Sequence, residues 1–298
     1  MPSSCDTPPI IVIAGPTASG KSKLALEMAA ALSGRVVNAD SMQVYRELRV
    51  LNARPGRDDE ARVPHRLYGV LSAWERCSAA RWREMALGTL REPDGGPAIF
   101  CGGTGFYVEA LLHGLSDMPE VAPGFEAMAR SRHETLGADG FHREVAARDP
   151  DLAQRVPAGD RQRLLRAWAV FEATGTPLTD WQAGPRPEPL RAWTVLLDPP
   201  RERLHARIEE RFHAMLTSGA VEEADRLRGL DPDLPAMKAL GLPELHACLA
   251  GEIALDEAKR RAVFATRRFA KRQRTWFRNR LRADAVFRED YSPALFAA

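Results

Sequence analysis

Apolar and polar positions alternate along this chain in a way that separates short buried strands from longer helices. The first apolar run, Ile10-Ile11-Val12-Ile13-Ala14, is unbroken, as in a strand covered on both faces. Glycine-rich residues 15–22 follow, and then the helical segment Leu24-Ala25-Leu26-Glu27-Met28-Ala29. Gly34 ends that helix, and residues 35–40 read as a short strand that carries Asp40 to its carboxyl end. Polar and apolar residues by turns at 41–46 predict the start of a helix capped by Asp40 or Ser41. Residues 48–70 read as loop, with turn chemistry at 55–59 and 64–66. A helix at 79–90, the breaker Pro93-Asp94-Gly95-Gly96-Pro97 and a strand at 98–101 come next. That strand runs through Gly102-Gly103-Thr104-Gly105 into an apolar helix at 106–112, making a second strand, glycine turn and helix unit.

The pattern changes at 117–119 and again at 184–189, both punctuated by proline. Between them only helices are predicted, at 125–136, 140–148 and 160–173, the last closed by Gly175 and Pro177. Strand and helix then resume at 193–198 and 201–218, with Gly219 as the stop. Three segments result: the first part of a core at 1–117, a helical insertion at 118–189, and the second part of the core at 190–298. The final helix, predicted over 256–282, carries two stripes. Ala258, Ala262, Ala265, Phe269 and Trp276 are expected to face the core, while Arg267, Lys271, Arg274, Arg278 and Arg282 share another face. No repeat, low-complexity segment or heptad run is found.

Composition narrows the class. Over 298 residues, 45% hydrophobic and 28% charged is the make-up of a soluble globular protein, and no apolar stretch is long enough to span a bilayer. The first residues offer neither a basic nor an apolar leader, so a cytoplasmic location with no membrane partner is expected. Four cysteines, Cys5, Cys77, Cys101 and Cys248, lie far apart and suggest neither a zinc site nor a disulfide framework. A formal charge of +2 says little about nucleic acid, whereas the crowding of basic residues between 260 and 282 says more.

Candidate chemistry begins at Gly15-Pro16-Thr17-Ala18-Ser19-Gly20-Lys21-Ser22, which fits G-x-x-x-x-G-K-[ST] in its strand and helix context. In such a loop, backbone N–H groups and the helix N-terminus bind phosphate, the lysine supplies a point charge, and the serine hydroxyl ligates Mg²⁺. The fold class implied is α/β, a P-loop NTPase-like parallel sheet flanked by helices, with the helical insertion added. The pattern leaves the phosphate compound open. Asp40 and Thr104, at the carboxyl ends of two strands, would face the ligand crevice, although helix capping and a plain glycine turn explain them equally well. Arg207 and Arg211, four apart, could clamp a polyphosphate or pair with Glu209 and Glu210. The C-terminal basic stripe matches a nucleic-acid backbone, with a solvated helix as the other reading.

The segments GPTASGKS (15–22), NADSMQVYR (38–46), ARVPHRLYG (61–69), GGTGFYVEALL (102–112), QRLLRAWAV (162–170), RIEERFHAML (207–216) and TRRFAKRQRTWFR (266–278), in this order, resemble the bacterial tRNA dimethylallyltransferases nearly end to end. The resemblance implies transfer of a dimethylallyl group from dimethylallyl diphosphate to N6 of adenosine 37 in the tRNA anticodon loop. It makes Asp40 the general base and Thr104 a contact to the reacting centre. Lys21, Arg207 and Arg211 would stabilise the departing diphosphate, held by Gly15, Pro16, Thr17, Ala18, Ser19, Gly20, Lys21 and Ser22, with Mg²⁺ on Ser22. Contacts to tRNA are implied for Asp40, Ser41, Met42, Gln43 and Thr104, for Gln162, Arg163, Leu164, Leu165 and Arg166, for Lys238, and for Lys271, Arg272, Gln273, Arg274 and Arg278. A monomer is expected. Residues 49–55 and 241–244 depart from the family's usual segments. A small-molecule kinase, a prenyltransferase of free adenine nucleotides and a non-catalytic RNA-binding protein remain the alternatives.

Overall fold

A computed structural model describes residues 10–92 and 96–289; Cys5 and the Pro93, Asp94 and Gly95 of the expected breaker lie outside the described residues. Strands that are apolar on both faces need cover on both, and they get it here in one parallel sheet. Its members are β1 (Ile10–Ala14), β2 (Arg35–Asn38), β3 (His65–Arg66), β4 (Ala98–Gly102), β5 (Trp193–Leu197) and β6 (Ala285–Phe287), in the order β3-β2-β4-β1-β5-β6. Every neighbouring pair is parallel, with Ala14 opposite both Gly102 and Leu196, and Asn38 opposite Cys101. All the carboxyl ends therefore open on one edge. That edge is where a ligand crevice forms in an open α/β sheet.

The helices are α1 (Lys21–Ala31), α2 (Arg57–Arg62), α3 (Ala79–Thr89), α4 (Gly105–His113), α5 (Pro123–Ala146), α6 (Pro150–Arg155), α7 (Arg161–Thr174), α8 (Leu178–Ala183), α9 (Arg201–Thr217), α10 (Ala220–Arg226), α11 (Leu242–Leu249) and α12 (Leu255–Arg280). Successive side chains of a strand point to opposite faces, so β1 feeds two cores. Ile11 and Ile13 pack with Leu24, Ala25 and Met28 of α1, while Val12 and Ala14 join a larger core reaching Phe212 and Phe277. Fully burying one such aliphatic side chain stabilises the fold by roughly 1.5–3 kcal/mol. Under the second glycine turn Trp82 stacks on Tyr107, ring centres 4.4 Å apart, and donates its indole N–H to the Asn38 carbonyl at 3.0 Å.

Two compact units emerge, residues 1–112 with 190–298 and residues 113–189. The second has its own core of Phe141, Val145, Leu152, Leu164, Trp168 and Leu178. Helix α5 breaks at Gly137 (φ 67°, ψ 175°), which separates the two helical stretches expected there. Asp160 caps α7 by accepting the Arg163 N–H, and Gly175 (φ 72°) closes it in the left-handed region.

Three expectations need correction. Residues 41–44 form turns and not a helix, because the Asp40 carboxylate accepts the Met42 N–H (2.9 Å) while the Asn38 carbonyl oxygen of the side chain accepts the Asp40 N–H (2.8 Å). Such Asx turns offer the backbone an alternative to helix. The stretch expected as loop contains α2 and the edge strand β3, whose pairing to Val36 and Val37 is a tertiary contact. The buried face of α12 is Ala258, Ala262, Val263, Thr266, Ala270, Gln273 and Phe277; of the five residues expected there, Ala258 and Ala262 are buried and Trp276 is partly buried against the same core, while Ala265 and Phe269 lie off this face. Polar Thr266 and Gln273 sit in that seam because their side chains find partners, Thr266 on the Ala262 carbonyl.

Candidate active site

Residues 15–22 connect the end of β1 to the start of α1 and wrap over the end of β5. Gly15 has φ 153°, and a Cβ there would lie 2.4 Å from the Leu197 carbonyl oxygen, so only glycine fits. Ala18 occupies the left-handed region (φ 62°), a local cost that sites of this kind carry. The N–H groups of Lys21, Ser22 and Lys23 precede the first intrahelical bond, from Leu24 N–H to the Gly20 carbonyl (3.2 Å). They face the sheet edge as a positively polarised helix terminus. Inside the loop the Ser19 hydroxyl is buried without a partner, an orphan that a phosphate oxygen would satisfy.

Asp40 follows β2 and Thr104 follows β4, and the turn chemistry joins them. The Thr104 hydroxyl accepts the Ser41 N–H (2.9 Å) and donates to the Ser41 hydroxyl (3.2 Å). Only Oδ1 of Asp40 is engaged by the Met42 N–H; among the described residues Oδ2 carries no hydrogen bond. Asn38 fixes this arrangement, its amide donating to the carbonyls of Asp40 (3.0 Å) and Leu67 (3.1 Å). Tyr68, unnoticed in the sequence, is pushed well above its usual pKa by burial, with Cys101 and Asp40 adding to the shift and Arg54 opposing it.

Three cations gather at the loop. The Lys21 ammonium donates to the Pro16 carbonyl (2.7 Å). Burial lowers its pKa to about 8, with Arg211 adding to the shift and Cys101 and Asp40 opposing it. Arg211 donates to the Thr17 hydroxyl, and burial lowers its pKa against the pull of Asp40. Arg207 lies beside the loop, its Nη1 about 4.0 Å from where a Gly20 Cβ would stand. Burial raises the pKa of Cys101, at the end of β4, to about 11, with Asp40 adding to the shift and Lys21 and a hydrogen bond with Ser22 opposing it.

A magnesium ion fits the donors present. Among the described residues no group of three His, Cys, Asp or Glu could hold a metal alone. Mg²⁺ characteristically keeps several waters and is bound through few protein oxygens plus substrate phosphates. The Ser22 hydroxyl at the head of α1, which here bonds the Cys101 thiol, would be such an oxygen.

Helix α12 closes the site and redistributes the basic residues assigned from sequence. Gln273 is 6% exposed: its Oε1 accepts the Thr17 N–H (2.8 Å) and its Nε2 donates to the Gly103 carbonyl (2.8 Å). It therefore bridges the two glycine turns and offers no RNA surface. A Cβ at Gly105 would meet the Trp276 ring at 2.2 Å, and one at Gly103 would meet Gln273 Nε2 at 2.3 Å, so a larger residue at 103 would displace the Gln273 amide from its bridge. Arg274 and Arg278 are held by Asp198, the residue after β5, at 2.6 Å each. Burial alone would raise that carboxyl, but hydrogen bonds from Arg274 and Arg278 outweigh it and hold the pKa below its usual range. Arg267 pairs with Glu209 at 2.9 Å. Arg274→Ala is accordingly expected to lower unfolding stability by about 1.5–3 kcal/mol, the scale of a hydrogen bond to a charged group. A denaturant titration showing no loss would contradict that.

What remains for an external anion is a neighbouring face of the same helix. Arg268, Lys271, Arg272, Thr275, Trp276, Asn279 and Arg280 line an open groove, and none of its four cations carries an ion pair among the described residues. Arg268 lies over Phe264 and Arg272 over Phe269, at 5.9 and 5.6 Å, and Phe264 is 62% exposed. Of the other positions assigned to tRNA, Gln162, Arg163 and Lys238 are exposed, Leu165 and Arg166 are half-buried, and Met42 and Gln43 are half-buried in the Asp40 turn. Leu164 is fully buried in the core of the helical unit, so it supports the fold and not a surface.

A parallel sheet with a glycine-rich P-loop after its central strand, and with a carboxylate and a hydroxyl at the ends of β2 and β4 on the same side, defines a P-loop enzyme. Two family models match the chain, IPP transferase over residues 43–280 and isopentenyl transferase over residues 8–70. The tRNA dimethylallyltransferases of Rhodospirillum centenum and Granulibacter bethesdensis are 52% and 51% identical, over 94% and 91% of this chain and 92% and 86% of theirs. A tRNA isopentenylpyrophosphate transferase from Bacillus halodurans superposes with a TM-score of 0.67 at 28% identity, covering 97% of this chain and 93% of that one. A eukaryotic dimethylallyltransferase acting on tRNA shares the fold, with a TM-score of 0.75 at 24% identity over 91% and 70% of the two chains. The chain belongs to the tRNA dimethylallyltransferase family, and it is a transferase.

Proposed function

We propose that this protein transfers the dimethylallyl group of dimethylallyl diphosphate to N6 of adenosine 37 in the tRNA anticodon loop. N6 attacks the allylic carbon, the carbon–oxygen bond to the diphosphate breaks, and its electron pair leaves with the diphosphate. The N6 proton passes to Asp40 Oδ2. The observation that carries this reading is the meeting, on one sheet edge, of a phosphate cradle with an Asp40 oxygen that is open to a substrate. Lys21, Arg207 and Arg211 stabilise the charge that grows on the leaving group. Mg²⁺ bound through Ser22 would neutralise the same oxygens. Thr104 holds Ser41 and, through it, the Asp40 turn. No described helix is long and apolar enough to cross a membrane.

Adenosine 37 must leave its stack to reach Asp40, at a cost of a few kcal/mol that backbone contacts offset. Arg268, Lys271 and Arg272 would supply such contacts from α12, with Phe264 and Trp276 offering faces for unstacked bases. Replacing Arg268, Lys271 and Arg272 together by alanine is expected to reduce the slope of log K against log salt by about 2, since each lost phosphate contact to a single strand removes about 0.7. A filter-binding series with an unchanged slope would place the RNA elsewhere.

Parallel incubations with labelled dimethylallyl diphosphate, Mg²⁺ and unmodified tRNA, AMP or ATP test the assignment. Label is expected on tRNA only, at N6 of adenosine 37 after nuclease digestion. Label on AMP or ATP would make this a nucleotide prenyltransferase, and phosphoryl transfer from ATP without prenylation would make it a kinase.

A further inference from the structure

One buried carboxylate has no place in the chemistry above. Glu223 of α10 is 2% exposed, and its hydrogen-bond partners are three successive backbone N–H groups. Oε2 accepts from Arg49 and Val50, both at 2.8 Å, and Oε1 accepts from Leu51 at 2.9 Å. Converging N–H groups form an anion-binding nest, here filled by the protein's own side chain. Bonds to an ionised acceptor are roughly twice as strong as neutral ones. The turn closes on itself through Ala53 N–H to the Val50 carbonyl (2.9 Å) and Arg54 N–H to the Arg49 carbonyl (3.0 Å). Leu51 is the one buried side chain between 49 and 55, with Val50 and Ala53 packed partly buried against the same core.

The far side of this turn touches the catalytic strand end. Gln43 Nε2 donates to the carbonyls of Asn52 (2.8 Å) and Ala53 (3.2 Å), and Asn52 Nδ2 donates to the Met42 carbonyl (2.7 Å). Met42 in turn gives its N–H to Asp40 Oδ1 (2.9 Å). We propose that Glu223 is a positioning residue that fixes Asp40 for proton transfer, acting through the 49–53 turn and Met42. This rests on the role given to Asp40 above. Because the anchor grips backbone N–H groups, it holds the turn whatever side chains 49–51 carry.

The test uses the full chain with Glu223→Gln, Glu223→Asp, Asn52→Ala and the Glu223→Gln/Asn52→Ala double variant. Amide hydrogen exchange without substrates is read at 49–51 and at Met42. Turnover on tRNA and affinity for dimethylallyl diphosphate are read separately. A glutamine presents one acceptor oxygen to three donors, so exchange is expected to quicken at both places in Glu223→Gln. Its kcat should fall by about 10–100-fold, the scale of a small misplacement of reacting groups. Donor affinity, set by the phosphate loop, should stay within twofold, and Glu223→Asp should recover part of the loss. The double variant should lose no more than the larger single effect, because both changes cut one relay. Should Glu223→Gln not fold, Asn52→Ala alone must quicken Met42 exchange and lower kcat at constant donor affinity. A Met42 amide as protected as in the wild type, multiplicative losses, or donor affinity falling in step with kcat would overturn the relay. Absence of prenyl transfer by the wild type would instead overturn the reaction, and the exchange at Met42 would still decide the relay.

Discussion

Asp40→Asn is expected to cut turnover by about 10²–10⁴-fold, the range a positioned general base contributes, while tRNA binds as it does to the wild type. Asparagine is the informative replacement. Its carbonyl oxygen can still accept the Met42 N–H that now bonds Oδ1, so the turn between β2 and the 49–53 segment is retained. What disappears is an oxygen able to take the N6 proton. Single-turnover kinetics with saturating tRNA, alongside a binding isotherm, separate the two. Equal losses in rate and in affinity would mean that Asp40 holds the RNA and does not act as base.

Lys21→Met is expected to lower kcat/KM for the donor by about 10²–10³-fold, comparable to removing one strong charge-stabilising donor from an active site. The wild type should show the same dependence through pH. Lys21 titrates at about 8, below its ordinary 10.5, because burial disfavours the ammonium. Below pH 8 the group is charged and attracts the diphosphate; above it the proton is gone and donor affinity should fall. Folding responds with the opposite sign. Between pH 8 and 10.5 the unfolded chain still holds a proton that the folded chain has released, so this group's contribution to stability rises with pH. Lys21→Arg keeps its charge throughout and should flatten the fall in donor affinity. Equal pH profiles for the wild type and Lys21→Arg would show that another group controls it.

The places of the 15–22 loop, Asp40 and Thr104 at strand ends were legible because each is announced locally, by an apolar strand, a glycine turn and the residue at its end. Gln273, Asp198 and Glu223 were not. Gln273 bonds a residue 256 positions away and Glu223 one 174 positions away, and no spacing in the sequence reports such a pairing. The basic residues of α12 show the same boundary from another side. A helical period places Lys271, Arg274 and Arg278 on one stripe, but it does not show that Asp198 takes Arg274 and Arg278. Nor does it fix the rotation that turns Gln273 inward and leaves Arg268, Lys271 and Arg272 outside. Edge strands β3 and β6 escaped notice because two or three residues carry no readable alternation; the sheet itself makes them strands.

A crystal structure with a thiolo analogue of dimethylallyl diphosphate, whose carbon–sulfur bond resists cleavage, tests the central claim most directly. The terminal phosphate should accept the N–H groups at the head of α1 and the Lys21 ammonium, with the allylic carbon on the side of Asp40 Oδ2. A diphosphate bound outside the 15–22 loop, or an allylic carbon directed away from Asp40, would contradict this mechanism.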